Sequence, residues 1–406
     1  MSEVSADLGT GRASVGAVLD YAWTADEFTA TDVMASTSLT RSTAIEALAI
    51  LVDAEVLQEL PNARLGGTYR SGRPARRFAL SSELGVVVGV DAGDTHLAVT
   101  VADARDATLV HHRVEVDSAQ TPAERLTTVE RRLDEALMEA GRGREDVLAL
   151  CIGVAAPVDR NGVSPPHPGG FWERTNPGLA TAFRDWAPVV QVKNDALLAA
   201  VAEGAQGAAV DCRDYVALLA GQRFGAGVVV DGHLLHGAHG GVGEGVAFAH
   251  VTGVESAFGL GPLLRDQARA ALDSGEIDPE SAIGLLARDD RIDPRTVLAL
   301  AAEQNADAGL VSARVGTILA RAVGLLGSVY DPARVIVCGA VADSIEPVLA
   351  AARLVLPEQL DLPAPQLLAS TLGAEVVSLG AVATARRAAR ERAVPLLAER
   401  RLSARG

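Results

Sequence analysis

The sequence predicts a small winged helix-turn-helix followed by a larger α/β body of two lobes. Before residue 85 the hydrophobic pattern indicates three short helices and then two strands, whereas the rest of the chain alternates strands with helices. Within that rest, a unit of strand, glycine-rich turn and return strand occurs twice, which is typical of an internally duplicated body. The length of 406 residues agrees, because roughly 150 residues per domain would give two or three domains.

Helical periodicity places three helices in the first 84 residues. They are expected at residues 14–23, from a cap at Thr29 or Thr31, and from Ser38 to about Ala54. The apolar positions of the third helix are Ile45, Leu48, Leu51 and Val52. Strands at 56–60 and 77–80, joined through glycine turns, complete a winged helix-turn-helix.

The segment between those strands, the wing, is rich in arginine. Five arginines lie between Pro61 and Phe78 with no Asp or Glu among them, namely Arg64, Arg70, Arg73, Arg76 and Arg77. A basic loop beside a helix-turn-helix is typical of contact with a phosphate backbone, and a Gly-Arg-Pro turn at 72–74 can place one guanidinium in a narrow minor groove. A solvated, flexible loop would have the same composition, and that alternative stays open.

The third helix is expected to read base edges. Arg41, Ser42, Thr43 and Glu46 lie away from its apolar positions, near the helix start, where side chains enter a DNA groove. The predicted DNA contacts are Thr40, Arg41, Ser42, Thr43, Glu46, Arg70, Arg73 and Arg76.

The first turn of the body has the pattern of a phosphate loop. A buried strand at 86–91 is followed by Asp91-Ala-Gly-Asp-Thr95 and a return strand. Gly93 lets the backbone approach a phosphate closely, Thr95 adds a hydroxyl, and Asp91 can hold a metal-bound water. Many glycine-containing hairpins match so short a pattern. The position of this turn directly after a buried strand is the observation that favours a phosphate loop.

Two further segments carry carboxylates suited to ligand hydroxyls. Asn194 and Asp195 end a strand just before a helix, and Asp195 there can act as a general base, although an Asn-Asp helix cap has the same sequence. A glycine-rich loop ends at Glu244. Three histidines recur every third residue near it, but the spacing runs through glycines, so we predict no metal site.

Composition restricts the class of protein. The formal net charge of −16 argues against DNA binding over the whole surface. The cysteines, Cys151, Cys212 and Cys338, are odd in number and far apart, which predicts neither disulfides nor a metal clamp. Without a secretory signal or a long apolar run, a cytoplasmic protein with no membrane partner is expected.

These pieces, in this order, resemble the ROK family of repressors, open reading frames and kinases. The resemblance rests on the wing turn at 72–74, Asp91-x-Gly-x-Thr95, Asn194-Asp195, Gly237-Ala-x-Gly-Gly-x-Gly-Glu244 and the closing segment 372–381. It implies a two-lobed, actin-like body of the ribonuclease H and sugar-kinase type behind a DNA-binding domain. The expected units are 1–84 for the winged helix-turn-helix, 85–198 and 199–372 for the lobes, and 373–406 for a C-terminal helix returning to the first lobe. The arginine-rich end of that helix is expected to fray after Pro395.

The sugar and zinc motifs of that family are incomplete here. The family's Gly-Glu is usually followed by a Gly-His that binds sugar and zinc, whereas Glu244 is followed by Gly-Val, and His250 would replace that histidine only through an insertion. Residues 251–261, where the family has a cysteine-rich zinc loop, contain no cysteine. Lys193 stands where a glutamate usually precedes Asn-Asp. The resemblance therefore implies no zinc of the family's type.

The nucleotide loops also depart from the family. Asp94 replaces a glycine in the first phosphate loop, and a second carboxylate near a triphosphate is repulsive by about 4 kcal/mol at 4 Å. Gln222 and Arg223 replace the small residues of the second loop, and Gly339-Ala-Val341 replaces a triple glycine. These changes predict that the chain is not an enzyme and needs no cofactor.

The sequence therefore predicts a transcriptional regulator of the ROK type, a repressor that binds double-stranded operator DNA as a homodimer or homotetramer. Asn194, Asp195 and Glu244 are expected to contact a sugar or sugar-derived effector between the lobes, while Asp91, Gly93 and Thr95 form a degenerate phosphate loop. Two alternatives stay open: an ATP-dependent sugar kinase, and a regulator whose body has lost sugar binding and serves for oligomerisation.

Overall fold

The computed structural model describes residues 3–61, 75–289 and 291–394. Arg64, Arg70 and Arg73 of the wing and the tail after residue 394 lie outside these ranges. The N-terminal unit comprises α1 (Glu3–Ala22), β1 (Phe28–Thr29), α2 (Ala30–Thr37), α3 (Arg41–Asp53), β2 (Leu57–Leu60) and β3 (Arg77–Leu80). The three strands form one antiparallel sheet in the order β1-β3-β2.

Capping residues set the starts of α2 and α3, and α3 begins at Arg41, three residues later than predicted, because Ser38 ends α2 in the left-handed conformation. Thr29 and Asp32 form a reciprocal capping box at the start of α2, and Thr40 accepts a hydrogen bond from the backbone N–H of Thr43 at the start of α3. The first helix begins at Glu3, earlier than predicted, because Gly9 and Gly11 hide its pattern; each glycine costs a helix about 1 kcal/mol.

The first lobe is a mixed sheet with helices on both faces. Its elements are β4 (Val86–Ala92), β5 (His96–Asp103), β6 (Thr108–Glu115), α4 (Pro122–Glu139), β7 (Val147–Val154), α5 (Phe171–Thr175), α6 (Leu179–Ala182), β8 (Val189–Asn194) and α7 (Asp195–Gln206). The strand order is β6-β5-β4-β7-β8, with β4, β7 and β8 parallel. The register aligns Asp91 with Gly153 and Gly153 with Lys193, so the ends of these strands share one edge.

The second lobe repeats this layout. Its elements are β9 (Tyr215–Leu219), β10 (Gly225–Val230), β11 (His233–Leu234), α8 (Leu260–Asp273), α9 (Ala282–Arg288), α10 (Pro294–Ala302), α11 (Ala306–Tyr330), β12 (Arg334–Cys338), α12 (Glu346–Val355) and β13 (Gln366–Ala369). The strand order is β11-β10-β9-β12-β13, again an antiparallel hairpin beside parallel strands. Helix α11 is long and apolar enough to cross a membrane, but 56% of its most apolar window is buried inside the protein. It is a core helix of this lobe.

The last helix, α13 (Val376–Ala388), returns to the first lobe. It lies on β4 and β7 and crosses α7, where a Cβ added to Gly380 would lie 1.9 Å from the Leu198 carbonyl oxygen. Such a short distance means that the two helix backbones touch. The pair α7 and α13 thus forms the centre of the molecule, with α7 also packed on β9 and β10 of the second lobe.

Candidate effector and DNA-binding sites

The predicted phosphate loop begins with a contact between a buried carboxylate and a histidine side chain. The Asp91 side chain is only 5% exposed, and its Oδ2 lies 2.8 Å from His96 Nε2. The guanidinium of Arg113 approaches the same oxygen at 4.0 Å. The carboxylate that was predicted to hold a metal-bound water therefore has a histidine partner that the sequence reasoning missed, although His96 directly follows the motif.

The imidazole of His96 fills the space beside Gly93. A Cβ added to Gly93 would lie 2.3 Å from His96 Cε1, so the ring occupies the open side that the glycine provides. On the inner side, the buried Arg125 donates hydrogen bonds to the carbonyl oxygens of Ala92 (2.6 Å) and Gly93 (2.8 Å). Burial lowers the pKa of Arg125, while the charges of Asp94 and Asp91 oppose that shift. The turn is braced by side chains of this chain on both sides.

The second hairpin turn is covered by its own chain as well. Residues 257–261 pack on it: Phe224 donates to the Ala257 carbonyl (3.0 Å), and Gly259 donates to that of Gln222 (2.9 Å). A Cβ added to Gly259 would lie 2.4 Å from the Gly221 carbonyl oxygen. The cysteine-free segment thus packs against the loop that contains Gln222 and Arg223.

Asn194 and Asp195 have different surroundings. Asn194 is buried; its Oδ1 accepts from the Leu197 N–H and its Nδ2 donates to the Ala156 carbonyl, both at 3.1 Å. Both polar atoms are engaged, so Asn194 is the helix cap that the sequence left open as an alternative. Asp195 Oδ1 accepts from the Ala196 N–H at 2.8 Å. Burial raises the pKa of Asp195 to about 8, and the negative charges of Asp91 and Glu244 add to the rise.

The glycine-rich loop that carries Glu244 contacts both lobes. A Cβ at Gly240 would lie 2.0 Å from the Val158 carbonyl oxygen of the first lobe, and one at Gly243 would lie 1.8 Å from that of Ala226 in β10. Both glycines have positive φ, +71° and +81°. Burial raises the pKa of Glu244 to about 6, against the opposing charge of Arg223. Asp91 and Glu244, predicted from separate motifs, thus lie near enough to Asp195 for their charges to raise its pKa, and the region around these three carboxyls is called the cleft below.

The nearby histidines do not form a metal centre. Among the described residues, no group of three His, Cys, Asp or Glu side chains has the arrangement of a metal site. The His236 ring is half-buried with its Nδ1 3.3 Å from the Leu234 carbonyl oxygen. Burial lowers the pKa of His236, and the positive charges of Lys193, Arg160 and Arg387 lower it further.

Helix α3 presents two faces of opposite character. Its buried stripe consists of Ala44, Ala47, Leu48 and Leu51. The exposed face carries Ser42, Ile45, Glu46 and Ala49. The prediction that Ile45 belongs to the apolar core stripe is wrong, because its side chain is 45% exposed. Arg41 is also exposed, while the Thr40 hydroxyl lies 2.8 Å from that of Thr43 and 3.1 Å from that of Ser42.

The described arginines of the wing have acidic partners from outside it. Arg76 makes a two-pronged contact with Glu59, at 2.8 and 2.5 Å, and its guanidinium lies 5.3 Å from the centre of the Phe78 ring. Arg77 forms an ion pair with Glu27. The stretch that lacks acids in the sequence therefore meets acids in space, and Arg76 would have to leave Glu59 to contact DNA.

Solved structures share this fold. A ROK family transcriptional regulator described as a homologue of the E. coli MLC protein matches with a TM-score of 0.74 and 19% identity, covering 97% of this chain and 99% of its own. A ROK family glucokinase from Streptomyces griseus, in complex with glucose and AMPPNP, matches with a TM-score of 0.62 and 25% identity, covering 75% and 100%. A ROK hexokinase from Thermus thermophilus matches with a TM-score of 0.53 and 27% identity, covering 75% and 99%.

No curated protein sequence matches the chain. The family model described as "ROK family" matches residues 87–252, which include the turn at Asp91, the Asn194-Asp195 pair and Glu244. The predicted fold, a sugar-kinase-like α/β body behind an N-terminal helical unit, is confirmed, as is the predicted family resemblance. The match to the ROK family model is to this part of the chain, residues 87–252.

Proposed function

We propose that this protein is a DNA-binding transcriptional regulator that senses a small hydroxylated effector and does not phosphorylate it. The observation that carries the proposal is the N-terminal unit, whose third helix turns an exposed face of mixed chemistry away from a complete apolar core. The similar ROK regulator covers 97% of the chain, whereas the similar kinases cover 75%. Repression through double-stranded operator DNA is part of the proposal.

The filled phosphate turn supports the absence of kinase activity. For a phosphate to reach Gly93, the His96 ring would have to rotate away from Asp91. That movement breaks a hydrogen bond to a buried charged group, which costs about 1.5–3 kcal/mol, and leaves the carboxylate facing a triphosphate. The segment 257–261 covers the second turn in addition.

The cleft carboxyls support a hydroxylated effector such as a sugar or a sugar derivative. With a pKa of about 8, Asp195 is mostly protonated at neutral pH and can donate a hydrogen bond, while Glu244, with a pKa of about 6, is mostly ionised and can accept one. Neighbouring hydroxyls of a sugar offer both an acceptor and a donor. Asn194 would act by holding the start of α7.

Helix α13 supports a physical link between the cleft and the DNA-binding unit. At its start, Glu375 lies 2.9 Å from His111 and 3.9 Å from Arg113, the residue that also approaches Asp91. At its far end, Arg386 donates to the Trp23 carbonyl (3.3 Å). Arg390 donates to Asp20 of α1 (3.0 Å). We propose that closure of the lobes on an effector shifts α13 and, through these arginines, α1.

Each of the predicted domains has a role in the proposed function. Residues 1–84 would read DNA, 85–198 and 199–372 would form the sensing lobes, and 373–406 would connect them. A homodimer or homotetramer is proposed because two recognition helices must meet two half-sites of one operator.

DNA binding is tested with the full chain and labelled double-stranded fragments from upstream of its gene, by fluorescence anisotropy. A helix and wing that contact roughly four phosphates should lose about 100-fold in affinity between about 50 and 200 mM salt. Arg41→Ala should weaken binding to every fragment and reduce the salt slope by about 1. The matched control is Arg131→Ala, which is also an exposed arginine and pairs with Glu135 on α4. Absence of salt-sensitive binding to any fragment would reject the regulator.

An ATP-dependent sugar kinase is the second candidate, because a carboxyl with the pKa of Asp195 suits a general base and the glucokinase matches at 25% identity. A coupled assay of ADP release with hexoses and amino sugars tests it. Sugar-dependent ADP release that disappears in Asp195→Asn would establish the kinase.

A thermal-shift series with sugars and sugar phosphates tests whether the body binds an effector. A body that serves only for oligomerisation would show no change in melting midpoint.

A further inference from the structure

The exposed face of α3 has an aliphatic side chain at its centre. Ser42, Ile45, Glu46 and Ala49 follow the spacing i, i+3, i+4, i+7, so they line one side of the helix. Ile45 is 45% exposed, although the core stripe on the opposite side is complete without it. Because the side chain of Ile45 contributes little to the core, it is free to contact a partner of this face.

The charges of this face favour contact with bases over contact with phosphates. Arg41 in the first turn is the only basic residue of α3, and the exposed carboxylate of Glu46 lies beside Ile45. A carboxylate repels phosphate, so this part of the helix fits the floor of the major groove and not its rim. There, a carboxylate accepts from the amino group of cytosine, and an apolar side chain contacts the 5-methyl group of thymine.

The stiffness of Ile45 suits such a contact. A β-branched side chain in a helix has one strongly preferred χ1 rotamer, so its methyl groups have a fixed position before DNA arrives. Residues 45 and 46 are separated by about 1.5 Å along the helix axis, whereas base pairs are stacked about 3.4 Å apart. The two side chains therefore reach bases no more than about two steps from each other.

We propose that Ile45 recognises a thymine methyl group, and that Glu46 recognises a cytosine within two base steps of it. The inference rests on the proposed DNA binding and specifies the chemistry of the DNA that this face selects.

The test begins with selection of binding sites by the full-length chain from a random double-stranded DNA library. In the selected site, each thymidine is then replaced singly by deoxyuridine, which lacks only the methyl group. At one position the replacement should weaken wild-type binding about fourfold, the value for one buried methyl group. Ile45→Ala should bind the unmodified site more weakly and should lose its sensitivity to uracil at that position alone. Glu46→Gln should change the preference at a cytosine within two steps.

Leu354→Ala is the matched control, because Leu354 is an 81% exposed aliphatic residue on α12, away from α3. It should retain the full uracil pattern. Equal uracil sensitivity of Ile45→Ala and wild type at every position would overturn the inference while leaving DNA binding intact. A change of oligomeric state in Ile45→Ala with an unchanged uracil pattern would also overturn it, since Ile45 would then contact another protein chain. A chain that selects no DNA sequence would reject the proposed function, and this inference with it.

Discussion

Replacing His96 by alanine should destabilise the first lobe measurably, because it leaves a buried carboxylate without its nearest partner. Asp91 is 5% exposed at its side chain, and His96 Nε2 lies 2.8 Å from its Oδ2. Loss of a hydrogen bond to a charged, buried group costs about 1.5–3 kcal/mol. Arg113, 4.0 Å from the same oxygen, remains and compensates part of this, so we expect about 1.5–2 kcal/mol.

The chain contains a matched control for this variant. His112 lies 2.8 Å from Glu139 and is 29% exposed, nearly the same as the 28% of His96, but its acidic partner is 61% exposed. An ion pair of that kind contributes at most about 1 kcal/mol, so His112→Ala should change stability much less. The two histidines thus differ chiefly in the burial of the carboxylate.

Urea unfolding followed by tryptophan fluorescence measures the difference, since Trp172 and Trp186 belong to the first lobe. Adding Asp91→Asn to His96→Ala should recover part of the lost stability, because an amide is less costly to bury than an unpaired carboxylate. Equal midpoints for His96→Ala and wild type would refute the reasoning. So would equal losses for His96→Ala and His112→Ala.

Three further predictions concern the cleft and its link to the DNA-binding unit. The pKa of Asp195 rises on folding to about 8. This carboxyl therefore favours the folded state below pH 4, and its contribution to stability is lost as the pH rises to 8. Asp195→Asn should raise the melting temperature at pH 8 more than at pH 5. Gly240→Ala should destabilise the loop by about 1–3 kcal/mol and weaken any sugar binding, because the φ of Gly240 is +71° and the added Cβ would collide with Val158. Gly241 has open space around it, so Gly241→Ala should have neither effect. Thermal unfolding measures the stability of both variants. Arg390→Ala should speed hydrogen exchange in α1 through loss of the contact with Asp20, with little change in global stability because both groups are partly exposed.

Local signals in the sequence were sufficient for the elements that hold the site. Thr29 and Asn194, both expected as possible caps, stand at the starts of α2 and α7, whereas α3 begins after Thr40 and not at the predicted Ser38. The buried strand before Asp91 and the strand before Cys338 appear as continuous apolar runs, as parallel strands covered on both faces do. These features depend on neighbouring residues only, which is why one sequence reveals them.

Contacts between distant segments could not be predicted in the same way. Ile45 has helical spacing with the core residues, but the direction of the core is set by α1 and the sheet, and these leave it exposed. Arg125 follows the turn it braces by about 30 residues and has no local signal. The partners of Arg76 and Arg77, Glu59 and Glu27, lie outside the wing sequence. Pairing across such separations is decided by the packed fold.

The distribution of charge favours one orientation of the protein in the proposed complex with DNA. A formal net charge of −16 repels DNA from most of the surface, and Arg76 and Arg77 add little attraction because Glu59 and Glu27 neutralise them. In the proposed complex, the attraction would come from Arg41 and from the other three arginines of the wing, Arg64, Arg70 and Arg73, so an approach through α3 and the wing would be favourable. Salt screens the repulsion by the body as well as the attraction. The measured loss of affinity with salt should therefore be smaller than the number of phosphate contacts alone would give, and removing an exposed acidic residue of the N-terminal unit, such as Asp26→Asn, should steepen it.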